Sequence, residues 1–141
     1  MDNNYIIALG EAVYSFAYYE WTIIYIIEKL NNGYLDIYSR GKRPITSGGV
    51  LRDFEKIING NNDTRLIKCK DIFKELIDER NALIHGHPCT LKDKKQVLNF
   101  QASIDKNIHD LQWNIEKLNE FVLKISDAAV KASNILHDLL K

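Results

Sequence analysis

Apolar positions along this chain recur with a helical period in four runs, separated by turn residues. The first covers 4–31. It is apolar almost all round, which predicts contacts on more than one side. On a helical wheel, Ile6, Leu9, Val13, Phe16, Ile23 and Ile27 surround Glu20, and Glu11, Ser15, Thr22 and Lys29 lie opposite. Tyr14, Tyr18, Trp21 and Tyr25 make a second stripe. Tyrosine suits a half-buried surface, ring packed and hydroxyl wet, so this stripe packs against another helix of the chain or forms a subunit interface. Base stacking is less favoured, because no Lys or Arg is interleaved on it.

Asn31-Asn32-Gly33 ends the run, and 34–46 reads as a loop. Thr46 or Ser47 caps a second helix to about Ile58, with Val50, Leu51, Phe54, Ile57 and Ile58 inward. After a turn at 59–62, Asp63 or Thr64 caps a third helix, which stops at Gly86 and Pro88. Residues 88–101 read as irregular, with a short extended piece at 96–100. From Ser103 to Leu140 the helical period returns. Unbroken, that helix would be about 55 Å long, against about 35 Å for a domain of this size. A break near Ser126-Asp127 is therefore expected, or a protrusion that meets a partner. Four or five helices and almost no strand predict an all-α helical bundle with a long C-terminal helix.

Composition bounds the rest. The length, 141 residues, fits one domain, 1–141, and 45% hydrophobic content is enough for a core. Lys+Arg and Asp+Glu are both 19, so no global field steers the chain toward nucleic acid, and any RNA contact must be local. Two cysteines, Cys69 and Cys89, are too few for a disulfide framework. The start lacks the basic region of a signal peptide, and Glu11 and Glu20 argue against a membrane span. A cytoplasmic location is expected.

The candidate chemistry sits at the end of the third helix. Ile72, Phe73, Leu76, Ile77, Leu83 and Ile84 share one stripe, with Arg80 at its centre. A guanidinium on an apolar face is costly unless paired, and Glu20 lies alone on the apolar face of the first helix. An ion pair between Glu20 and Arg80 is predicted. Asn81 and His85, one turn apart, share a second face with Asp78. Cleavage of RNA without metal needs a base for the 2′-hydroxyl, an acid for the leaving 5′-oxygen and a cation on the phosphate. Histidine serves as acid or base near neutral pH, and arginine binds phosphate bidentately. Arg40, Lys42 and Arg43, flanked by Tyr34 and Tyr38, are an outside candidate for RNA contact. A short charged loop is more commonly a solvated connector. His85, His87 and Cys89 have zinc-like spacing, but structural zinc uses four ligands in paired clusters. Cys69, His109 and His137 do not supply them, so no metal or cofactor is expected.

Arg80 and His85 stand in the pattern Arg-x4-His, with the polar Asn81 directly after the arginine. This resembles the HEPN family of small helical proteins. The likeness is close over Arg80–His85 and loose over the bundle. It implies a metal-independent RNA endonuclease, with His85 as acid/base, Arg80 on the scissile phosphate and Asn81 in the polar position, able to orient the imidazole; Asp78 on the same face could do so too, and the predicted ion pair would have Glu20 hold Arg80. It further implies a homodimer that brings two copies of the motif into one cleft, a toxin or phage-defence role, and an antitoxin or defence-system protein as partner. One position departs: where a subgroup regulated by a partner nucleotidyltransferase has tyrosine two residues after the motif histidine, this chain has His87. The other reading is a non-catalytic HEPN-like helical module for protein binding or dimerisation. In that case Arg80 only knits two helices, and His85 only favours the negative end of its helix.

Overall fold

The helix starts read at Thr46 and Asp63, and those of the first and last helices, are each closed by a side chain that accepts an orphan backbone N–H. In the computed structural model, which describes residues 2–41, 45–104 and 107–141 and the side chains outside 102–110, Asp2 caps α1 (Asn3–Leu30) by accepting from Asn4 at 3.0 Å. Thr46 caps α3 (Ser47–Ile58) through Gly49 at 3.1 Å. Asp63 caps α4 (Thr64–Ile84) through Arg65 at 2.9 Å. Asn114 caps α5 (Ile115–Leu139) through Lys117 at 2.8 Å.

The protein is a mostly helical bundle with a long C-terminal helix. The most extensive helix pairing is α1 on α5. The α4 helix runs antiparallel to α5, as the ion pairs Arg65–Asp138 (2.6 Å) and Lys124–Glu79 (2.7 Å) require. Both pairs are partly exposed and add little stability. The apolar interior is one cluster to which all five helices and the sheet contribute. Cys69 is part of it, and burial pushes its thiol up to about 12. Among the described residues no helix is long and apolar enough to cross a membrane.

Three sequence-based expectations are corrected. Residues 34–40 are not loop but a seven-residue helix, α2 (Tyr34–Arg40). Its support is one near partner and one remote one. Glu28, from α1, accepts N–H bonds from Gly33 and Leu35, which hold its carboxyl below the usual range. Tyr34 is buried and donates its hydroxyl proton to Asp53 of α3 at 2.7 Å.

The second correction is a three-stranded antiparallel sheet in the order β1 (His87–Thr90), β2 (Gln96–Ile104), β3 (Asn107–Trp113). It replaces most of the irregular stretch after Pro88 and the start of the last predicted helix, while the extended piece read at 96–100 lies within β2. Pro88 sits in the edge strand β1, where a missing N–H is tolerated. Gly86 has no left-handed φ. Its need is space instead, because a Cβ there would lie 3.1 Å from the Leu83 carbonyl oxygen and 3.2 Å from Leu98 Cβ.

The third concerns α5. With 107–113 in a strand, it is 25 residues long and passes through Ser126-Asp127 without a break. Its length is about 37 Å, so the conflict with the domain's diameter disappears.

Tyr5 fastens the sheet to the bundle. Leu98 and Trp113 are partners in the β2–β3 register. The buried Tyr5 hydroxyl stands between them, donating to the Trp113 carbonyl at 2.7 Å and accepting from the Leu98 N–H at 2.9 Å. Tyr5→Phe is expected to destabilise the protein by about 1–3 kcal/mol, because it strands buried backbone groups. Denaturant unfolding measures this, and a loss below a few tenths of a kcal/mol would contradict the bridge.

Candidate functional site

Three elements build the site. Residue 20 of α1, the first turn of α3 and the last turn of α4 enclose a cleft of about 520 Å³. Its lining includes Glu20, Ser47, Gly48, Arg80, Asn81 and His85, together with Ile84 at its rim. Residues 60 positions apart in sequence thus meet in one depression. A larger hollow of about 730 Å³ lies near Asp2 and Tyr5, with Asp93 and Glu116 set against Lys94 and Lys95. It is about 22 Å further along α1 from Glu20, and it holds neither Arg nor His.

The predicted Glu20–Arg80 ion pair does not form. The two side chains share the cleft but are not within ion-pair distance. Glu20 accepts instead from the Ser47 hydroxyl. Arg80 lays its guanidinium over the Phe16 ring, 5.0 Å from its centroid, a cation–π contact that offsets part of the desolvation. Its Nε is enclosed and has no hydrogen-bond partner. The wheel misplaced Glu20 because α1 is apolar nearly all round. The buried face follows Tyr5, Ala12, Phe16, Tyr19 and Ile23, whereas Ile6 and Val13 are exposed, so Glu20 stands at the edge of the core-facing side.

His85 closes α4. Its backbone N–H bonds to the Asn81 carbonyl at 3.0 Å, and its side chain is exposed. No side-chain hydrogen bond joins Asn81 to His85, so the expected orienting contact is not made in this arrangement. Asp78 is exposed and does not line the cleft. Arg40 is exposed at the end of α2 and pairs with Asp36 at 3.4 Å. Lys42 and Arg43 lie outside the described residues.

His87 and Cys89 lie on β1 beyond the cleft. Among the described residues no group of three or more His, Cys, Asp or Glu side chains comes together as a metal site.

Sequence reasoning read Thr46 and Ser47 only as capping residues. The structure gives Ser47 a second task, as the donor that holds Glu20. The first turn of α3 also lines the cleft through Ser47 and Gly48, and a helix start favours an anion. Ser47-Gly48-Gly49 at a helix start was the available signal, since glycine lets a ligand approach the backbone.

Compared with known protein families, with curated proteins and with solved structures, the chain matches none.

Proposed function

We propose that this protein is a metal-independent RNA endonuclease of the HEPN type, acting in the cytoplasm as a homodimer in a toxin or phage-defence role. One observation carries the reading: Arg80 and His85 share a cleft in which the guanidinium has no carboxylate partner. A phosphodiester can take that place. The α3 first turn lines the same cleft, and a helix start favours the same charge.

In the proposed reaction the 2′-oxygen attacks phosphorus, and its proton passes to a base. The P–O5′ bond breaks, and an acid returns a proton to the 5′-oxygen. The products are a 2′,3′-cyclic phosphate and a 5′-hydroxyl. His85 is the proton-transfer group, Arg80 binds the scissile phosphate, and Asn81 orients substrate or imidazole once RNA is present. A single histidine does not readily act as both acid and base in one turnover. A homodimer supplies the second, as the resemblance implies. An antitoxin or another defence-system protein is the expected regulatory partner.

The purified protein should cleave a single-stranded RNA in the presence of a metal chelator. A substrate with a 2′-deoxy sugar at the scissile position should resist. Uncut RNA, or products with 3′-hydroxyl and 5′-phosphate ends, would rule the mechanism out. A non-catalytic binding module is the second reading, favoured by the apolar face that α1 leaves uncovered.

A further inference from the structure

The larger hollow has no part in the cleft at Arg80. It lies where the starts of α1 and α5 meet the β1–β2 hairpin, about 22 Å along α1 from Glu20. Its volume of about 730 Å³ falls within the range of roughly 300–1,000 Å³ usual for a small-molecule site. The floor is apolar: Tyr5 and Val97 are buried there, and Leu91 and Ile115 are half-buried. The rim is polar and exposed, with Lys94 and Lys95 on the hairpin and Asp2 and Glu116 at the two helix starts. An apolar floor under a few convergent polar groups is the usual make-up of a ligand pocket.

The rim charges are not used up within the chain. None of Asp2, Asp93, Lys94, Lys95 and Glu116 forms an ion pair among the described residues. The turn that carries the lysines is fixed. The Leu91 N–H donates to the Lys95 carbonyl at 2.8 Å, the Lys94 N–H to the Leu91 carbonyl at 2.9 Å, and the Lys95 N–H to the Asp93 carboxylate at 3.1 Å. Lys94 has a φ of 66° and is the one non-glycine residue with positive φ among the described residues. That backbone favours glycine or asparagine, and strain of this kind clusters at ligand-binding sites.

We propose that this hollow binds a nucleoside phosphate. Three kinds of group surround it, and they match three parts of that molecule. Lys94 and Lys95 are compact cations suited to the phosphate. Asp2 and Glu116 are acceptors suited to the ribose hydroxyls and to a base amino group. Leu91, Val97 and Ile115 give the base an apolar surface to lie on. Simpler ligands leave part of the lining idle. An inorganic anion does not use the floor, a fatty acid gives the carboxylates no donor, and an amine gives the lysines no acceptor. The nucleoside phosphate has two possible sources: a free nucleotide, or one unit of an RNA whose scissile bond lies in the distant cleft. Only the second rests on the ribonuclease reading.

Calorimetric titration of the whole chain with 5′-AMP, 5′-GMP, 5′-CMP and 5′-UMP tests the site. At least one should bind with a dissociation constant below about 1 mM. The matching nucleoside and inorganic phosphate should each bind at least about tenfold more weakly, since each lacks the charge-assisted bonds or the floor contact of the whole. Lys94→Ala/Lys95→Ala should weaken nucleotide binding at least about tenfold and leave thermal unfolding unchanged, because both side chains are exposed. Arg80→Ala should leave nucleotide binding as it is, which separates the hollow from the cleft. No nucleotide binding, binding indifferent to the lysine substitutions, or binding lost in Arg80→Ala would each overturn the proposal. An RNA oligomer of about twelve nucleotides, titrated into a His85→Ala background, tells the sources apart. If the lysine substitutions weaken its binding, the nucleotide is a unit of RNA; if only mononucleotide binding suffers, it is free. Cleavage is read separately. A chain that binds nucleotide and cuts no RNA sinks the ribonuclease reading and leaves the hollow standing, and a chain that cuts RNA and binds no nucleotide does the reverse.

Discussion

His85→Ala is expected to slow RNA cleavage by about 10²–10⁴-fold, the range a positioned proton-transfer group contributes. The fold should survive. The ring is exposed, and it is the His85 backbone, not its imidazole, that closes α4 through the Asn81 carbonyl. Stability should change by no more than about 0.5 kcal/mol, as for other surface substitutions. Single-turnover cleavage and thermal unfolding of one sample separate the two quantities. A variant that folds and still cleaves at the wild-type rate would remove His85 from the chemistry.

Phe73→Ala carries the largest expected loss of stability, about 3–5 kcal/mol. The ring is fully buried, stacks on Phe16 at 6.5 Å and meets Tyr19 edge-on at 5.8 Å. Phe16 in turn is the platform beneath Arg80. The cavity should therefore weaken cleavage as well as the fold, by loosening the guanidinium. Phe73→Leu keeps most of the volume and is expected to lose less than about 1.5 kcal/mol. Urea unfolding of both variants checks the order. An alanine variant as stable as wild type would mean that the ring is not part of the packed interior.

These two effects join what was legible in the chain to what was not. The capping residues Thr46, Asp63 and Asn114 and the periods behind them are local signals. A hydroxyl or carboxylate that reaches its own helix start depends on nothing distant. Asn114 is the same kind of signal but was passed over, because the spacing of Ile104, Ile108 and Leu111 fits a helix as well as the strands around 107–113. A period of apolar residues over one or two turns does not separate the two states. What separates them is pairing: Phe100 opposite Leu111, and Leu98 opposite Trp113 with the Tyr5 hydroxyl between. Those partners come from across the chain. For α2, a seven-residue helix too short to stand alone, Glu28 supplies a near partner at its start and Asp53 of α3 a remote one.

The order of residues alone determined that Arg80, Asn81 and His85 end one helix, and that Glu20 and the tyrosine stripe occupy separate faces of another. Helical geometry acts within a few residues, so spacing suffices to state it. Which face of α1 turns inward, that Ser47 takes Glu20 while Phe16 takes Arg80, and that the aromatic stripe stays uncovered were decided only by tertiary packing. Each is a competition between distant side chains for one partner, and no local pattern records who wins.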